Sequence, residues 1–271
     1  MVASDKLFAG SIPEIYDRFL VPLIFEPYAR DLAGRLAQTA PRNVLETAAG
    51  TGVLTRAIAS ILPADARIVV TDLNQPMLDR AAARQSGDGR IEWRQADALA
   101  LPFADQGFDA VACQFGAMFF PDKVEAYREV RRVLRPQGRL FFNVWGPISD
   151  NEFADTVTDA LAVMFPHDPP RFMARTPHGY HDAERIRQEL NAAGFTAVSI
   201  DTVDHQSRAP SPREAAIGYC QGSPLRNEIE ARDASGLEAA TRQATEALAR
   251  RFGAGAIEGR IRALVITASR G

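Results

Sequence analysis

The stretch from residue 43 to residue 55 limits what this 271-residue chain can fold into more than any other part of it. Its apolar pair Val44–Leu45 predicts a short buried strand, which breaks into a turn with Gly50 and Gly52 and resumes as a predicted helix, 53–60. Because glycine has no Cβ atom, a ligand can approach the backbone of such a turn closely. The first N–H groups of the helix lack partners within the helix. The stretch therefore predicts a strand, a turn and a helix that together bind a polar ligand.

The composition of the chain favours one large domain with a small-molecule partner. A hydrophobic content of 46% is enough for one sizeable core. The 31 basic and 34 acidic residues give a net charge of −3, so no broad basic surface predicts nucleic acid as a partner. We expect a monomer or a homodimer that acts on a small molecule.

The two cysteines, Cys113 and Cys220, lie far apart in sequence and lack the spacing of metal ligands, which is typical of a reducing compartment. The first ten residues contain no basic segment followed by an apolar run, and no window approaches the ~18 uninterrupted apolar residues of a membrane span. We therefore predict a cytoplasmic protein with no metal site and no stable membrane association.

The turn after the first strand resembles the cofactor loop of the class I S-adenosylmethionine-dependent methyltransferases, which follows the pattern acidic-x-Gly-x-Gly-x-Gly. Here the pattern reads Glu46-x-Ala48-x-Gly50-x-Gly52, with alanine in place of the first glycine. A dinucleotide-binding loop, G-x-G-x-x-G, is the rival interpretation, but Thr55 stands where its third glycine belongs. The alternatives to a methyltransferase are an NAD(P)-dependent oxidoreductase and a non-catalytic regulator that senses the cofactor.

Two further acidic residues follow predicted strands in the order that the resemblance implies. Asp72 ends the predicted strand 67–71, about twenty residues beyond the glycines, where a carboxylate can accept both hydroxyls of a ribose in either class of enzyme. Asp97 follows the predicted strand 91–95. The resemblance implies that Asp97 accepts the adenine amino group and that the N–H of Ala98 meets the ring. Asp97 thus favours S-adenosylmethionine over NAD.

Five more residues are predicted to contact the cofactor. Leu73 and Met77 are placed to touch a face of the adenine. Gln114 and Phe115 follow the fourth predicted strand, and ligands of open parallel sheets bind at the carboxyl ends of the strands. We therefore expect Gln114 and Phe115 near the sulfonium. The resemblance implies that Tyr16, on an N-terminal helix, faces the methionine part.

The order of predicted elements is that of an α/β protein with a Rossmann-like sheet. Strands and helices alternate from about residue 40 to residue 145, and two further strands follow, the sixth predicted at 196–203. The resemblance implies seven strands in the order 3-2-1-4-5-7-6, with the last strand antiparallel and helices on both faces. We predict a single methyltransferase domain, 1–271, with additions to this sheet.

Three segments are predicted to be additions to the sheet. An N-terminal helical lid, 11–38, is expected to break at Pro22 into two helices. A cap insertion, 147–181, follows the fifth strand. A second insertion, 211–256, is predicted to carry two polar helices.

The cap insertion contains our candidates for catalytic residues, His178 and Tyr180. We expect this segment to fold beside Phe115, Met118 and Phe119, where an imidazole can take a hydroxyl proton near neutral pH. The alternative is that both residues serve turn geometry among the neighbouring prolines.

The insertion after the fifth strand and the N-terminal helices most resemble the small-molecule branch of the family, near the ubiquinone and menaquinone biosynthesis methyltransferases. The activity this implies is transfer of a methyl group from S-adenosylmethionine to a small acceptor by O-, N- or C-methylation, with S-adenosylhomocysteine as the product. The chain has no Asn/Asp-Pro-Pro-Tyr motif after the fourth strand, which argues against a DNA base as the acceptor.

Overall fold

The computed structural model describes Phe8 and residues 10–271. The strands are β1 (Asn43–Glu46), β2 (Arg67–Asp72), β3 (Ile91–Gln95), β4 (Phe108–Gln114), β5 (Leu134–Trp145), β6 (Ala197–Ala209) and β7 (Ile257–Ser269). Within the described residues they form one mixed sheet of seven strands in the order β3-β2-β1-β4-β5-β7-β6. The predicted fold class and strand order are confirmed.

Strand β1 lies in the middle of the parallel part of the sheet. It pairs in parallel with β2 on one side and with β4 on the other. Val44 and Leu45 are fully buried, as expected for a parallel strand that is covered on both faces. Because the strands are parallel, their carboxyl ends meet at one edge of the sheet. The predicted ligand residues that follow them are therefore brought to this edge.

Helices precede and connect the strands. The α-helices are α1 (Ile12–Ile15), α2 (Glu26–Ala37), α3 (Val53–Ile61), α4 (Gln75–Arg84), α5 (Lys123–Val133), α6 (Glu152–Met164), α7 (Phe172–Arg175), α8 (Ala183–Ala192), α9 (Pro212–Gln221), α10 (Leu225–Arg232) and α11 (Leu237–Phe252). Short 3₁₀ turns occupy Ala117–Phe119 and Ile148–Asp150. Side-chain caps define several helix starts: Asp122 accepts a hydrogen bond from the N–H of Glu125 at 2.9 Å, as its sequence position predicts.

The predicted break at Pro22 is wrong. A π-helix, Tyr16–Phe25, joins α1 to α2, with Pro22 inside it. Proline lacks the N–H that a regular helix requires, and an interruption of the regular hydrogen-bond pattern accommodates such a residue. At the end of this segment the N–H of Glu26 donates to the carbonyl of Val21, five residues earlier. The N-terminal segment is therefore helical from Ile12 to Ala37.

Two other boundaries differ from the sequence predictions. Strand β6 runs to Ala209 rather than to residue 203, and Ser207 and Ala209 are buried near its end. The insertion 211–256, all of which the structure describes, contains three helices instead of two. The additional helix, α10, starts after Pro224 and is separated from α11 by the polar turn 233–236. Side-chain polarity does not distinguish such a short helix from a loop.

The chain divides into two compact units. The first unit comprises Trp145–Tyr180, Asp204–Ala263 and the described residues up to Glu26, and the second unit comprises Pro27–Val144, His181–Val203 and Leu264–Gly271. The second unit contains the predicted cofactor loop, and the first contains Tyr16, His178 and Tyr180. The description of the chain as one domain with a lid and two insertions stays a prediction. In the described part of the chain, no helix combines the length and the apolar character that crossing a membrane requires.

Candidate functional site

The loop between β1 and α3 adopts a left-handed backbone at Ala48 (φ +52°), Gly50 (φ +58°) and Gly52 (φ +77°). Glycine adopts this conformation without strain, whereas alanine pays about 1–2 kcal/mol for it. Ala48 therefore occupies a position suited to glycine, in agreement with the pattern that the loop resembles. The N–H of Ala49 donates to the carbonyl of Thr71 at 3.0 Å and ties the loop to β2.

Gly116, which follows β4, makes room for this loop. A Cβ atom at Gly116 would clash with the Cβ of Ala48 and would lie 2.8 Å from the Sγ of Cys113. The loops after β1 and β4 are thus in close contact, with no space for a further methyl group between them. Sequence reasoning missed Gly116, whose signal was a glycine two residues after the end of β4.

Asp72, at the end of β2, holds two loops together. One of its carboxylate oxygens accepts the N–H of Gly50 at 2.8 Å, and the other accepts the N–H of Asn74 at 2.7 Å. The side chain is buried, and burial raises its pKa, although the backbone hydrogen bonds oppose this shift. Each oxygen of a carboxylate has two acceptor positions. Oδ2 retains one of them for a further donor, whereas Oδ1 also lies 3.4 Å from the side-chain Nδ2 of Asn74. Asp72 therefore combines a structural role with the capacity to accept a further hydrogen bond at Oδ2.

Glu46, at the end of β1, has no contact with solvent. Its Oε2 accepts a hydrogen bond from the hydroxyl of Thr55 at 2.6 Å, and its Oε1 has no hydrogen-bond partner among the described residues. Burial raises the pKa of Glu46 to about 8, and the bond from Thr55 opposes the shift. Glu46 is therefore a neutral acid near pH 7. Its position in the loop pattern predicts an acid but not its protonation state.

The residues predicted to contact adenine differ in exposure. Leu73, next to Asp72, is 45% exposed, an unusually large exposure for leucine, whereas Met77 and Ala98 are buried. Asp97 is exposed, and its Oδ1 accepts the N–H of Leu99 at 3.0 Å within the turn that follows β3. Leu73 and Asp97 are therefore accessible to a ligand, and Met77 belongs to the core.

Gln114 and Phe115 lie at the carboxyl end of β4. Phe115 has a left-handed backbone (φ +50°), and its N–H donates to both the backbone carbonyl of Asn143 at 3.2 Å and the side-chain Oδ1 of Asn143 at 3.0 Å. Its ring packs edge-on against Tyr28, with 5.4 Å between the ring centroids. Asn143, on β5, was not predicted as a site residue. Its signal is an asparagine within the apolar segment 140–145 of this strand.

Four polar side chains from adjacent strands share one face of the sheet: Asp72, Glu46, Gln114 and Asn143. Glu46 pairs with Val70 and Ala112, and Gln114 pairs with Asn143. Paired residues of parallel strands point to the same face, and residues two apart along a strand do so as well. All four are buried. The structure thus concentrates buried polar groups at the carboxyl ends of β2, β1, β4 and β5.

The first unit contains a row of neighbouring rings that ends at His178. The centroid distances are 5.0 Å between Tyr16 and Phe25, 5.8 Å between Phe25 and Trp145, and 6.0 Å between Trp145 and His178. The Nδ1 of His178 lies 2.9 Å from the carbonyl oxygen of Gly146. Because a carbonyl only accepts hydrogen bonds, the neutral imidazole carries its proton on Nδ1, and Nε2 is its acceptor. Tyr180 is also buried, whereas His167 and His181 are exposed.

Residues 45–142 match the protein family described as "Methyltransferase domain". The chain is 33% identical over 209 residues to the ubiquinone/menaquinone biosynthesis C-methyltransferase UbiE of Ectopseudomonas mendocina (strain ymp), a match that covers 72% of this chain and 76% of that protein. The chain belongs to the class I S-adenosylmethionine-dependent methyltransferases. It is an S-adenosylmethionine-dependent enzyme, and the oxidoreductase alternative is not favoured.

One further relative and one solved structure are similar to this chain. The methyltransferase is 34% identical to UbiE of Hahella chejuensis (strain KCTC 2396) over 165 residues, which are 56% of this chain and 66% of that protein. Its fold is similar to the structure of phosphoethanolamine N-methyltransferase 2 of Haemonchus contortus in complex with S-adenosyl-L-methionine. The TM-score is 0.60 at 15% identity, and the match covers 99% of this chain and 60% of that chain.

Proposed function

We propose that this methyltransferase transfers the methyl group of S-adenosylmethionine to a small aromatic acceptor that carries a hydroxyl group. The row of rings that ends at His178 carries the acceptor part of the proposal, because aromatic rings pack favourably against one another. The names of the two UbiE relatives support a quinone-type acceptor and transfer to carbon. Transfer to oxygen or nitrogen is the alternative outcome.

The proposed cofactor site is the loop after β1 together with the carboxyl ends of β2 and β4. Asp72 fits the ribose of the cofactor because its carboxylate ends β2 and its Oδ2 retains one acceptor position after bonding to the N–H of Gly50. Leu73 fits the adenine because it offers exposed apolar surface beside Asp72. Asp97 and Ala98 are proposed for the adenine edge, and Gln114, Phe115 and Tyr16 for the methionine part.

The bound cofactor supplies a methyl group that is already activated as a sulfonium. The protein then has to align the acceptor, and positioning alone contributes up to ~7–11 kcal/mol to catalysis. We propose that Nε2 of His178 takes the proton of the acceptor hydroxyl, which increases the electron density of the ring. The hydrogen bond from Nδ1 to Gly146 holds the imidazole in the tautomer that this step requires. Tyr180 is proposed to lie near the same acceptor group.

The proposed working environment is the cytoplasm, with a monomer or a homodimer as the active form. Cys113 and Cys220 are both free thiols and both buried, which supports a reducing compartment. Small molecules, and not nucleic acids, are the proposed partners.

Methyl transfer from isotopically labelled S-adenosylmethionine to a panel of hydroquinones, phenols and amines tests this proposal. We expect the label to be transferred to the hydroquinones, and NMR of the product should show the new methyl group on a ring carbon. Transfer to amines alone would overturn the aromatic acceptor. A purified enzyme that binds the cofactor but transfers to none of these classes would contradict the proposed function as a whole.

A further inference from the structure

Asn143 is a buried amide in the final segment of β5, 140–145, whose other residues are apolar. Its neighbours along β5 are Phe141, Phe142, Val144 and Trp145, and its own side chain has no solvent exposure. Asparagine is unfavourable within strands, and burial of its amide is costly unless both ends are hydrogen-bonded. Its Nδ2 has no hydrogen-bond partner among the described residues. Strand formation and packing therefore do not account for an asparagine at this position.

The amide oxygen of Asn143 is hydrogen-bonded to a strained part of the backbone. It accepts the N–H of Phe115 at 3.0 Å, directly after β4. Phe115 has φ +50°, and this conformation is unfavourable by about 1–2 kcal/mol for a residue other than glycine. Because the donor is a backbone N–H, the oxygen and not the nitrogen of the amide faces it. The hydrogen bond thus stabilises a conformation that the local sequence does not favour.

The backbone conformation of Phe115 determines the position of the next residue, Gly116, which packs against the cofactor loop. Gly116 is in such close contact with Ala48 that a Cβ at Gly116 would clash. A backbone change at Phe115 would therefore displace Gly116 and disturb its packing against the loop. Tyr28 supports the same arrangement, since its ring contacts Phe115 and its hydroxyl donates to the carbonyl of Val203 at 3.0 Å.

We propose that Asn143 is a positioning residue for cofactor binding, acting through the backbone of Phe115. The amide holds Phe115 in its left-handed conformation, and Phe115 in turn keeps Gly116 against Ala48. This inference rests on the proposed cofactor site, and it assigns a function to a residue outside that site's predicted contacts.

Calorimetric titration with S-adenosylhomocysteine tests the proposal. Asn143→Ala should weaken binding about three- to tenfold, the range that loss of one hydrogen bond predicts. Asn143→Asp should retain most of the affinity because it keeps an acceptor in the same place. Asn143→Ser, whose hydroxyl is one atom too short to reach Phe115, should resemble Asn143→Ala and serves if the alanine variant does not fold.

A matched control separates positioning from stability. Asn151 is equally buried, and its amide bonds Pro147 at 3.0 Å and the N–H of Arg262 at 3.1 Å in the first unit. Asn151→Ala should lower the melting temperature without changing the affinity for S-adenosylhomocysteine. Asn143→Ala should change the affinity, and its effect should persist at temperatures far below its melting transition.

A double-mutant cycle identifies the route through Phe115. Glycine adopts a left-handed conformation without support, so Asn143→Ala should cost little affinity in a Phe115→Gly background. Additive losses would contradict an action through Phe115. Unchanged affinity of Asn143→Ala and Asn143→Ser, with a wild type that binds, would overturn this inference alone. A wild type that does not bind S-adenosylhomocysteine would overturn the proposed site as well.

Discussion

The hydroxyl of Thr55 lies 2.6 Å from Oε2 of Glu46, and neither side chain is exposed to solvent. Glu46 ends β1 and Thr55 lies in the first turn of α3, so this hydrogen bond closes the strand–turn–helix unit from within. Since Glu46 is neutral near pH 7, this hydrogen bond forms without an ionised carboxylate buried beside the cofactor loop. This arrangement has a measurable consequence for stability.

The free energy of unfolding should depend on pH through Glu46. Its pKa is about 8 in the folded protein against an ordinary value of 4.5, so between these values the folded state binds one proton more than the unfolded state. Stability contributed by this proton is complete below pH 4.5 and falls by about 1.4 kcal/mol per pH unit as the pH rises to about 8. Glu46→Gln, which keeps an acceptor for Thr55, should remove this dependence.

Urea denaturation at several pH values checks this prediction. Asp72 also has a raised pKa, but it is present in both proteins, so the difference between wild type and Glu46→Gln isolates Glu46. Parallel pH profiles for the two proteins would show that Glu46 is ionised when folded.

Asp72→Ala should weaken cofactor binding more than Asp97→Ala. Asp72 is proposed to accept two hydroxyls, and hydrogen bonds to charged groups contribute ~1.5–3 kcal/mol each. It also holds the loop through the N–H of Gly50, whereas Asp97 bonds only a local turn in the described structure. Calorimetry with S-adenosylhomocysteine compares the two variants, with circular dichroism to confirm folding. Equal losses would remove the special role of Asp72.

His178→Asn should reduce kcat by ~10²–10⁴ without changing the affinity for S-adenosylmethionine. The asparagine amide can still donate to the carbonyl of Gly146 but provides no base. Steady-state kinetics gives kcat for both proteins, and calorimetry gives their affinity for S-adenosylmethionine. Turnover near the wild-type level would place His178 among the residues that serve turn geometry.

Gly116→Ala should destabilise the protein by about 1–3 kcal/mol, because the added methyl group overlaps Ala48. Gly34→Ala is the matched control: apart from its two chain neighbours and the backbone of its own helix, no described atom lies within 4 Å of its added Cβ. Alanine in a helix is favoured over glycine by about 0.5–1 kcal/mol. The double variant Ala48→Gly/Gly116→Ala should recover part of the loss. Thermal melts of the wild type, the two single variants and the double variant measure these changes in stability. Equal changes in melting temperature for Gly116→Ala and Gly34→Ala would refute the close contact between Gly116 and Ala48.

The sequence was sufficient to predict the sheet and the loop because both depend on local patterns. Buried parallel strands appear as apolar runs, and Gly50 and Gly52 indicate a turn with a left-handed backbone. The protonation of Glu46 was not predictable, since it depends on burial and on the position of Thr55 in the folded chain. The π-helix around Pro22 was missed for a similar reason, because proline alone predicts an interruption but not its form.

The role of Asn143 could not be predicted from the sequence. Its role depends on the register that pairs it with Gln114, a residue 29 positions earlier, and on the backbone conformation of Phe115. Neither the register nor a positive φ at phenylalanine can be derived from local residue preferences. The asparagine within an apolar strand was nevertheless visible in the sequence as an exception to the pattern.

The most direct test of the account is a comparison of thermal unfolding with S-adenosylmethionine, S-adenosylhomocysteine, NAD and NADP. A ligand that binds only the folded state adds ~2.7 kcal/mol of stability at 100 times its Kd. The melting temperature should rise with the first two ligands and stay unchanged with NAD or NADP, and the rise should be smaller in Asp72→Ala. Stabilisation by NAD or NADP alone would contradict it.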